Sequence, residues 1–324
     1  MIRVSAPGKI YLAGEHAVVY GYPGILAAVD LRLAVLAEKS QRLVFEGEEL
    51  RIEEVISDAE RAEELWREGK EKSDFSELFS WMKTRFRRVV LGMVLKELGI
   101  SEPVSLKLAG TRLWGVGLGS SAALALSVCL AVAELFGKKL RKERLNEIAF
   151  KIERLAHGSP SGGDNTAICW GGFLRFQKGV FERIELDFRP ELLLVNTGRP
   201  ERTTGELVQA VRQLPEDFRN PRLERIGEIA DGIIQRLREH DMEGVAELMR
   251  ENQKILAEFG LSTPKIDRVC RLAEEAGGAG KLSGAGGGGI VVCWSPDLSG
   301  LQKKLENEFQ VFRVKLGADG VRVD

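Results

Sequence analysis

Cysteine is scarce in this chain, and long hydrophobic runs are missing. Four of the 324 residues are cysteine, and none forms a C-x-x-C pair, so the sequence predicts reduced core thiols rather than disulfides or a cysteine metal site. The longest apolar stretch, Ala122 to Phe136, spans about fifteen residues, whereas a bilayer needs about 20. The chain does not begin with a charged leader followed by an apolar core. These absences predict a soluble, cytoplasmic protein with no membrane partner.

An excess of charge of either sign is also missing. Lysine and arginine together number 47, and aspartate and glutamate number 48. Because no bulk positive field exists to attract a polyanion, the sequence predicts no nucleic-acid partner, and any anionic ligand must be held locally. The composition is that of a globular protein, with 44% hydrophobic and 29% charged residues. The length favours two domains over one.

Three common signatures of nucleotide-binding proteins are absent or incomplete. The chain has no G-x-x-x-x-G-K-[ST] phosphate loop and no protein kinase motif set. A dinucleotide fingerprint G-x-G-x-x-G would need a third glycine where Ser120 stands. An NAD-binding oxidoreductase is therefore disfavoured, although the pattern alone leaves it as an alternative.

A glycine block nevertheless lies between a predicted strand at 104–110 and the apolar helix that follows. The free N–H groups and positive dipole at the start of such a helix attract anions, and glycines let the backbone approach a phosphate closely. A tight turn with an ordinary serine N-cap is the alternative interpretation. The candidate phosphate-binding residues are Gly115, Gly117, Leu118, Gly119, Ser120 and Ser121.

Two carboxylates follow this block at a spacing that allows them to face one cleft. Glu153 belongs to a predicted helix from Lys142 to His157, beside its apolar stripe, and Asp164 lies in the glycine-rich segment GSPSGGDN, predicted as a loop. A carboxylate near a phosphate can ligate Mg²⁺ or accept a hydrogen bond from the attacking hydroxyl. The alternative for Asp164 is that it only caps a turn.

Other candidates lie at the two ends of the chain. Lys9 follows a Pro-Gly step that could direct its ammonium into a cleft, although an exposed lysine is commoner. Glu15 and His16 follow a glycine, where most histidines are structural. Near the other end, the glycines of the segment 284–289 run directly into an apolar strand, which indicates the close approach of a ligand or of another loop, or a hinge.

Together these segments resemble the motifs of the GHMP kinase superfamily. The three motifs are APGKIYLAGEHAVVYG at 6–21, GVGLGSSAA at 115–123 and KLSGAGGGG at 281–289, in the order that the superfamily has them. Within it, GEHAVVYG, HGSPSGGDN and NTGRPERTTGELV are most similar to the mevalonate kinases, particularly their shorter prokaryotic or archaeal form. The resemblance runs from residue 6 to near the end of the chain.

The resemblance implies an α+β, two-domain GHMP kinase fold with the site in the cleft between the domains. An ATP-binding domain of the ribosomal-protein-S5-domain-2-like type is expected at 1–184, and a ferredoxin-like domain at 185–324. The implied activity is ATP-dependent phosphorylation of the 5-hydroxyl of (R)-mevalonate, a step of isoprenoid biosynthesis. Another GHMP kinase, acting on phosphomevalonate, a sugar or homoserine, is the alternative, and a non-catalytic relative is disfavoured because the motif residues are intact.

The resemblance also implies a role for each matching residue. Asp164 matches the catalytic aspartate and Lys9 the lysine that pairs with it, while Ser121 and Glu153 match the ligands of an Mg²⁺ that accompanies ATP. The implied substrate-binding residues are Lys9, Glu15, His16, Asp164 and Thr204, with Thr203 as the alternative register for the threonine. The expected partners are ATP, mevalonate and a second copy in a homodimer. Trp114 stands where the family usually has a proline-containing segment, so altered nucleotide affinity is expected.

Overall fold

The computed structural model describes residues 1–111 and 117–324. Gly115 and Trp114, for which the sequence predicted phosphate binding and an effect on nucleotide affinity, lie outside the described residues. The elements mix helices with strands that pair antiparallel in all but one case, as the α+β prediction requires.

The strands of the described residues form two sheets. In chain order they are β1 (Ile2–Ala13), β2 (Gly24–Lys39), β3 (Leu43–Phe45), β4 (Glu48–Leu50), β5 (Val104–Gly110), β6 (Phe173–Gln177), β7 (Val180–Ile184), β8 (Glu191–Asn196), β9 (Ala279–Ser283), β10 (Ile290–Trp294), β11 (Gln310–Lys315) and β12 (Arg322–Val323). The first sheet has the order β12-β1-β2-β5-β3-β4, and in addition β6 pairs with β2 and β7 pairs with β6. The second has the order β11-β8-β10-β9.

Of the α-helices in the described residues, five precede β6, four lie between β8 and β9, and one follows β10. They are α1 (Ile52–Lys72), α2 (Ser76–Leu98), α3 (Ser120–Leu135), α4 (Lys142–His157), α5 (Gly163–Trp170), α6 (Thr204–Arg212), α7 (Glu216–Arg238), α8 (Met242–Glu258), α9 (Pro264–Glu275) and α10 (Leu298–Glu306). The helix α3 contacts β1, β2, α2 and α4. Its residues are apolar or small on nearly every side because it is enclosed by sheet and helices, whereas Ser120 and Ser121 at its start are half-buried.

The second sheet has the connectivity of the predicted ferredoxin-like domain. Along the chain, β8 is followed by helices, then β9 and β10, then α10 and β11. All of its pairings are antiparallel, and β8 and β10 lie at its centre. This is a split βαβ arrangement, in which β10 separates β8 from β9.

The two halves of the chain share a core. One cluster of buried residues joins Ile10 and Leu12 of the first sheet to Leu194 and Ile226 of the second half. The predicted boundary at 184/185 falls in the connection between β7 and β8 and stays a prediction. The end of the chain does not follow that division, because β12 pairs with β1.

One arginine holds the returning end of the chain in place. The guanidinium of Arg32 donates hydrogen bonds to the carbonyl oxygens of Ser5, Asp319 and Gly320 at 2.7, 2.7 and 2.8 Å.

In the part of the chain that the structure describes, no helix has the length and apolar character needed to cross a membrane.

Candidate active site

The three glycine-bearing motifs meet in space. The backbone N–H of Lys9 donates to the carbonyl oxygen of Leu118 at 3.0 Å, which joins the first motif to the second. The N–H of Tyr11 donates to Ser283 Oγ at 2.9 Å, which joins the first motif to the third. Since β1 contributes both bonds, it lies between the other two motifs and brings them to one place.

Lys9 and Asp164 form an ion pair at this junction. Lys9 Nζ lies 3.1 Å from Asp164 Oδ1, with the lysine side chain 4% exposed and the aspartate 33% exposed. The ammonium also lies 4.9 Å from the centre of the Tyr11 ring, a cation–π contact. The pair therefore presents a carboxylate to solvent with a buried cation behind it, a geometry in which Asp164 can accept a hydrogen bond from a hydroxyl group.

Asp164 belongs to a helix rather than to the predicted loop. It lies in the first turn of α5, whose N-cap is Gly162 in the left-handed conformation with φ 81°. A helix N-terminus favours a carboxylate, because the backbone dipoles sum to a positive partial charge there. The helix thus fixes the position of Asp164.

The segment that leads into α5 is anchored on the N-terminal helices. Trp66 Nε1 of α1 donates to the carbonyl oxygen of Gly158 at 2.7 Å. Gly158 lies against the Phe75 ring so closely that a Cβ there would be 2.6 Å from it. Within the segment, the N–H of Gly163 donates to Ser161 Oγ at 3.2 Å. These contacts hold the backbone just ahead of Asp164.

Ser121 and Glu153 lie together beside this pair. Ser121 Oγ is 3.1 Å from His157 Nε2, which is 3.6 Å from Glu153 Oε2. Burial raises the pKa of Glu153, and the nearby charge of Asp164 adds to this, while His157, Ser121 and Lys9 oppose it. Among the described residues, Glu153 Oε1 has no hydrogen-bond partner although it is buried. A buried carboxylate oxygen is thus left without a partner.

These two residues fit a magnesium ion. A hydroxyl and a carboxylate with an unpartnered oxygen are hard oxygen donors, the kind that Mg²⁺ prefers. In the residues that the structure describes, no group of three or more His, Cys, Asp or Glu side chains could enclose a metal. Mg²⁺ is usually bound by one or two carboxylates together with phosphates and water.

The glycine block, whose described part is 117–121 and which we call the phosphate loop after its predicted ligand, leads into the N-terminus of α3. Gly119 is the N-cap of α3 with φ 73°, and Ser120 and Ser121 are the first residues of the helix. Gly117 has φ 94°, a conformation that glycine adopts without strain. The N–H groups of the first turn of α3 are thus available at the point where Lys9 and Ser121 lie, which suits a phosphate.

Gly119→Ala tests whether this loop tolerates a side chain. A Cβ at Gly119 would be 2.8 Å from Ile168 Cδ1 and 3.2 Å from Lys9 Cγ. We expect the left-handed backbone to cost about 1–2 kcal/mol of unfolding free energy, the crowding to add about 1–3 kcal/mol, and phosphoryl transfer to fall because Lys9 is displaced.

Denaturant unfolding and an activity assay measure the two effects. Gly137→Ala is the matched control, since Gly137 has φ 66° with nothing within 4 Å of its would-be Cβ. It should show the backbone cost alone. Equal losses in the two variants would contradict a close approach at Gly119.

Glu15 is placed differently from the predicted substrate-lining position. Its side chain is 0% exposed and forms an ion pair with Lys281. Asn252 Nδ2 also donates to Glu15 Oε2 at 3.2 Å. The carboxylate therefore lies in the interior and is engaged by protein groups on two sides.

His16 and the two threonines differ in how deeply they are buried. His16 is 5% exposed, and its Nε2 lies 2.9 Å from the carbonyl oxygen of Ala285, which makes Nε2 the donor. Burial lowers the pKa of His16, so a neutral ring is favoured. Thr203 is the N-cap of α6 in a capping box with Glu206, whereas Thr204 is the exposed first residue of that helix. Thr203 is thus committed to the cap.

Sequence reasoning missed several residues of this site. His157 bridges Ser121 and Glu153, Ser283 binds β1, and Lys281 pairs with Glu15. Tyr11 is enclosed, and burial raises the pKa of its hydroxyl, which is bonded to Ser161. The i, i+4 spacing of Glu153 and His157 was a readable signal. The others depend on contacts between segments far apart in the chain.

Comparison with known proteins shows the family of this chain. The family model described as the GHMP kinases N terminal domain matches residues 85–172, and the GHMP kinases C terminal model matches 233–309. A mevalonate kinase of Pyrococcus abyssi is 32% identical over 340 aligned positions, which cover 100% of this chain and 98% of that relative.

Two solved structures share the fold. The Methanococcus jannaschii mevalonate kinase superposes with a TM-score of 0.82 at 23% identity, covering 97% of this chain and 98% of the other. The L. major mevalonate kinase in complex with R-mevalonate superposes with a TM-score of 0.77 at 22% identity, covering 99% and 97%. With its two-domain fold and a relative at 32% identity along its whole length, this chain belongs to the mevalonate kinase family of the GHMP kinases.

Proposed function

We propose that the chain transfers the terminal phosphoryl group of ATP to the 5-hydroxyl of (R)-mevalonate. The observation that carries the proposal is the ion pair of Lys9 and Asp164 next to the first turn of α3. It offers an acceptor for the hydroxyl beside a place for phosphate. Family membership supports the reaction, and the names of the relatives support mevalonate as the alcohol.

In this proposal, the carboxylate of Asp164 binds the 5-hydroxyl group of mevalonate. In phosphoryl transfer the transition state is loose, so positioning and charge stabilisation carry most of the catalysis. Asp164 accepts a hydrogen bond from the 5-hydroxyl and takes its proton as the new P–O bond forms and the bond to ADP breaks. Lys9 holds the carboxylate from behind and, being 4% exposed, keeps it in one place.

The phosphates are assigned to the other side of Lys9. The first-turn N–H groups of α3 and the backbone of Gly117, Gly119 and Ser120 would bind the phosphate oxygens. Ser121 and Glu153 would hold Mg²⁺, the metal that we propose to accompany ATP. When bound, this ion neutralises charge on the phosphates. The unpartnered Glu153 Oε1 supports this assignment.

The remaining substrate contacts are proposed for His16 and Thr204. In the described part of the chain, His16 Nδ1 is buried without a hydrogen-bond partner, so it is an acceptor available to a substrate hydroxyl. Thr204 offers a hydroxyl that is exposed at the start of α6. A cytoplasmic location is proposed because the four cysteines are free and buried, as is usual in a reducing compartment. A homodimer is proposed from the family resemblance alone, and light scattering checks the oligomeric state.

Product analysis tests the proposed reaction. After incubation with Mg²⁺-ATP and (R)-mevalonate, phosphorus NMR should show ADP and a phosphomonoester whose signal is split by the two protons of a methylene group. That splitting identifies the primary 5-hydroxyl, since a phosphate on the tertiary 3-hydroxyl has no such protons. An unsplit product signal, or ADP formed without a mevalonate phosphoester, would overturn the proposal.

A further inference from the structure

A fully buried ion pair joins the first motif to the third. Lys281 of β9 and Glu15 beyond the end of β1 contact each other with both side chains 0% exposed. Lys281 Nζ also donates to the carbonyl oxygens of Leu282 at 2.7 Å and of Tyr11 at 3.4 Å. One ammonium thus binds three acceptors from two segments that lie far apart in the sequence.

Such a pair is a costly way to stabilise a fold. Removing two charges from water carries a large desolvation penalty, which their mutual attraction offsets only when the geometry is good. Burial accordingly lowers the pKa of Lys281, and the carboxylate of Glu15 opposes this effect. Apolar residues of the same volume often give equal or greater stability at such positions. The pair therefore calls for an explanation other than stability.

The glycine loop that follows Lys281 supplies the explanation. Five of its glycines have positive φ: Gly284, Gly286, Gly287, Gly288 and Gly289. Within the loop, Ala285 alone carries a Cβ, so the loop has almost no side chains with which to fix its own position. Its placement must come from groups outside it.

The groups that fix the loop come partly from the first motif. Ser283 Oγ accepts from the N–H of Tyr11, and the carbonyl oxygen of Ala285 accepts from His16. A Cβ on Gly117 would lie 3.4 Å from the carbonyl oxygen of Ser283, so the loop begins beside the phosphate loop. Lys281 lies at the start of this arrangement and ties it to the strand that carries Lys9.

We propose that Glu15 and Lys281 are positioning residues, which set the third glycine loop against the phosphate loop and against β1. Glu15 acts on the reaction through Lys281 rather than by touching the substrate. This inference rests on the proposed phosphoryl transfer. It predicts that removing the pair changes the geometry of the site and leaves the stability of the fold nearly unchanged.

The double variant Glu15→Gln/Lys281→Met separates these two roles. It removes both charges at once, so no unpaired charge stays buried. We expect the melting temperature to remain within about 4 °C of the wild type. We expect kcat to fall by about tenfold to a hundredfold, because small misplacements reduce the rate strongly. The KM values for ATP and mevalonate should change by less than about threefold, because the pair touches neither substrate.

Hydrogen exchange provides a second readout that does not depend on the substrate. Backbone amides of the segment 282–290 should exchange faster in the double variant than in the wild type, because the loop has lost one of the contacts that hold it, although the N–H groups of Gly287 and Gly289 still donate to Leu261 and Gly198. Arg175→Met/Asp231→Asn is the matched control. Its ion pair, at 2.7 Å, joins β6 to α7 across the two halves away from the site. The control should keep wild-type kcat and wild-type exchange in the segment 282–290.

These experiments distinguish a failure of the positioning role from a failure of the proposed function. A wild-type enzyme that does not phosphorylate mevalonate overturns the function, and the exchange experiment still tests the pair. An active wild type with an equally active double variant and unchanged exchange overturns the positioning role. If the double variant fails to fold, Asn252→Ala loosens Glu15 without breaking the pair. It should lower kcat by about threefold, and unchanged kcat and exchange in that variant would contradict the inference.

Discussion

Asp164→Asn lowers kcat by about 10²–10⁴ and changes KM modestly, because a positioned acid or base contributes about that much. The amide keeps the shape of the side chain at the start of α5 but loses the charge that Lys9 faces at 3.1 Å. It can no longer take the proton of the attacking hydroxyl. Steady-state kinetics with Mg²⁺-ATP and mevalonate measure the change.

Asp187→Asn is the control for this prediction. Asp187 is an 81% exposed carboxylate that pairs with His240 at 2.7 Å. Its neutralisation should leave kcat unchanged. A rate for Asp164→Asn within a few-fold of the wild type would remove Asp164 from the chemistry and, with it, the interpretation of the Lys9 ion pair.

Glu153→Gln lowers kcat/KM for Mg²⁺-ATP by about 10²-fold or more, since a bound metal contributes several kcal/mol to such reactions. The loss should be partly reversed by raised Mg²⁺, because the amide oxygen is a weaker ligand than a carboxylate. The variant should also keep or gain thermal stability without metal. Burial raises the pKa of Glu153, which means that the charged form is disfavoured in the folded protein.

Magnesium titrations at fixed ATP, together with melting curves, measure both effects. Glu97→Gln is a useful comparison, since Glu97 pairs with Lys151 at 2.6 Å and its pKa is lowered rather than raised. That variant should lose stability and leave the magnesium requirement unchanged. A Glu153 variant with a wild-type magnesium requirement would contradict its assignment as a ligand.

The sequence could predict the elements whose signal is local. The helix predicted from Lys142 to His157 has those bounds in the structure, because an apolar stripe and a following glycine mark it. The start of α3 after the glycine block is equally readable. The three motifs gave the family, and the family gave the pairing of Lys9 with Asp164.

The sequence could not predict what depends on distant contacts. Asp164 was expected in a loop because glycines surround it, yet Gly162 in the left-handed conformation begins α5 instead. Glu15 was expected beside the substrate from the family resemblance, and nothing near it in the sequence indicates its ion pair with Lys281, more than 260 positions away. Local sequence patterns likewise do not indicate the pairing of β12 with β1, because short strands gain their stability from the partner strand.

ADP release by the purified chain is the measurement that tests the proposed function most directly. The panel is mevalonate, phosphomevalonate, galactose and homoserine with Mg²⁺-ATP, with Asp164→Asn run in parallel. The proposed function predicts turnover with mevalonate alone and its loss in the variant. Turnover with a different alcohol, or with mevalonate in both proteins, would contradict it.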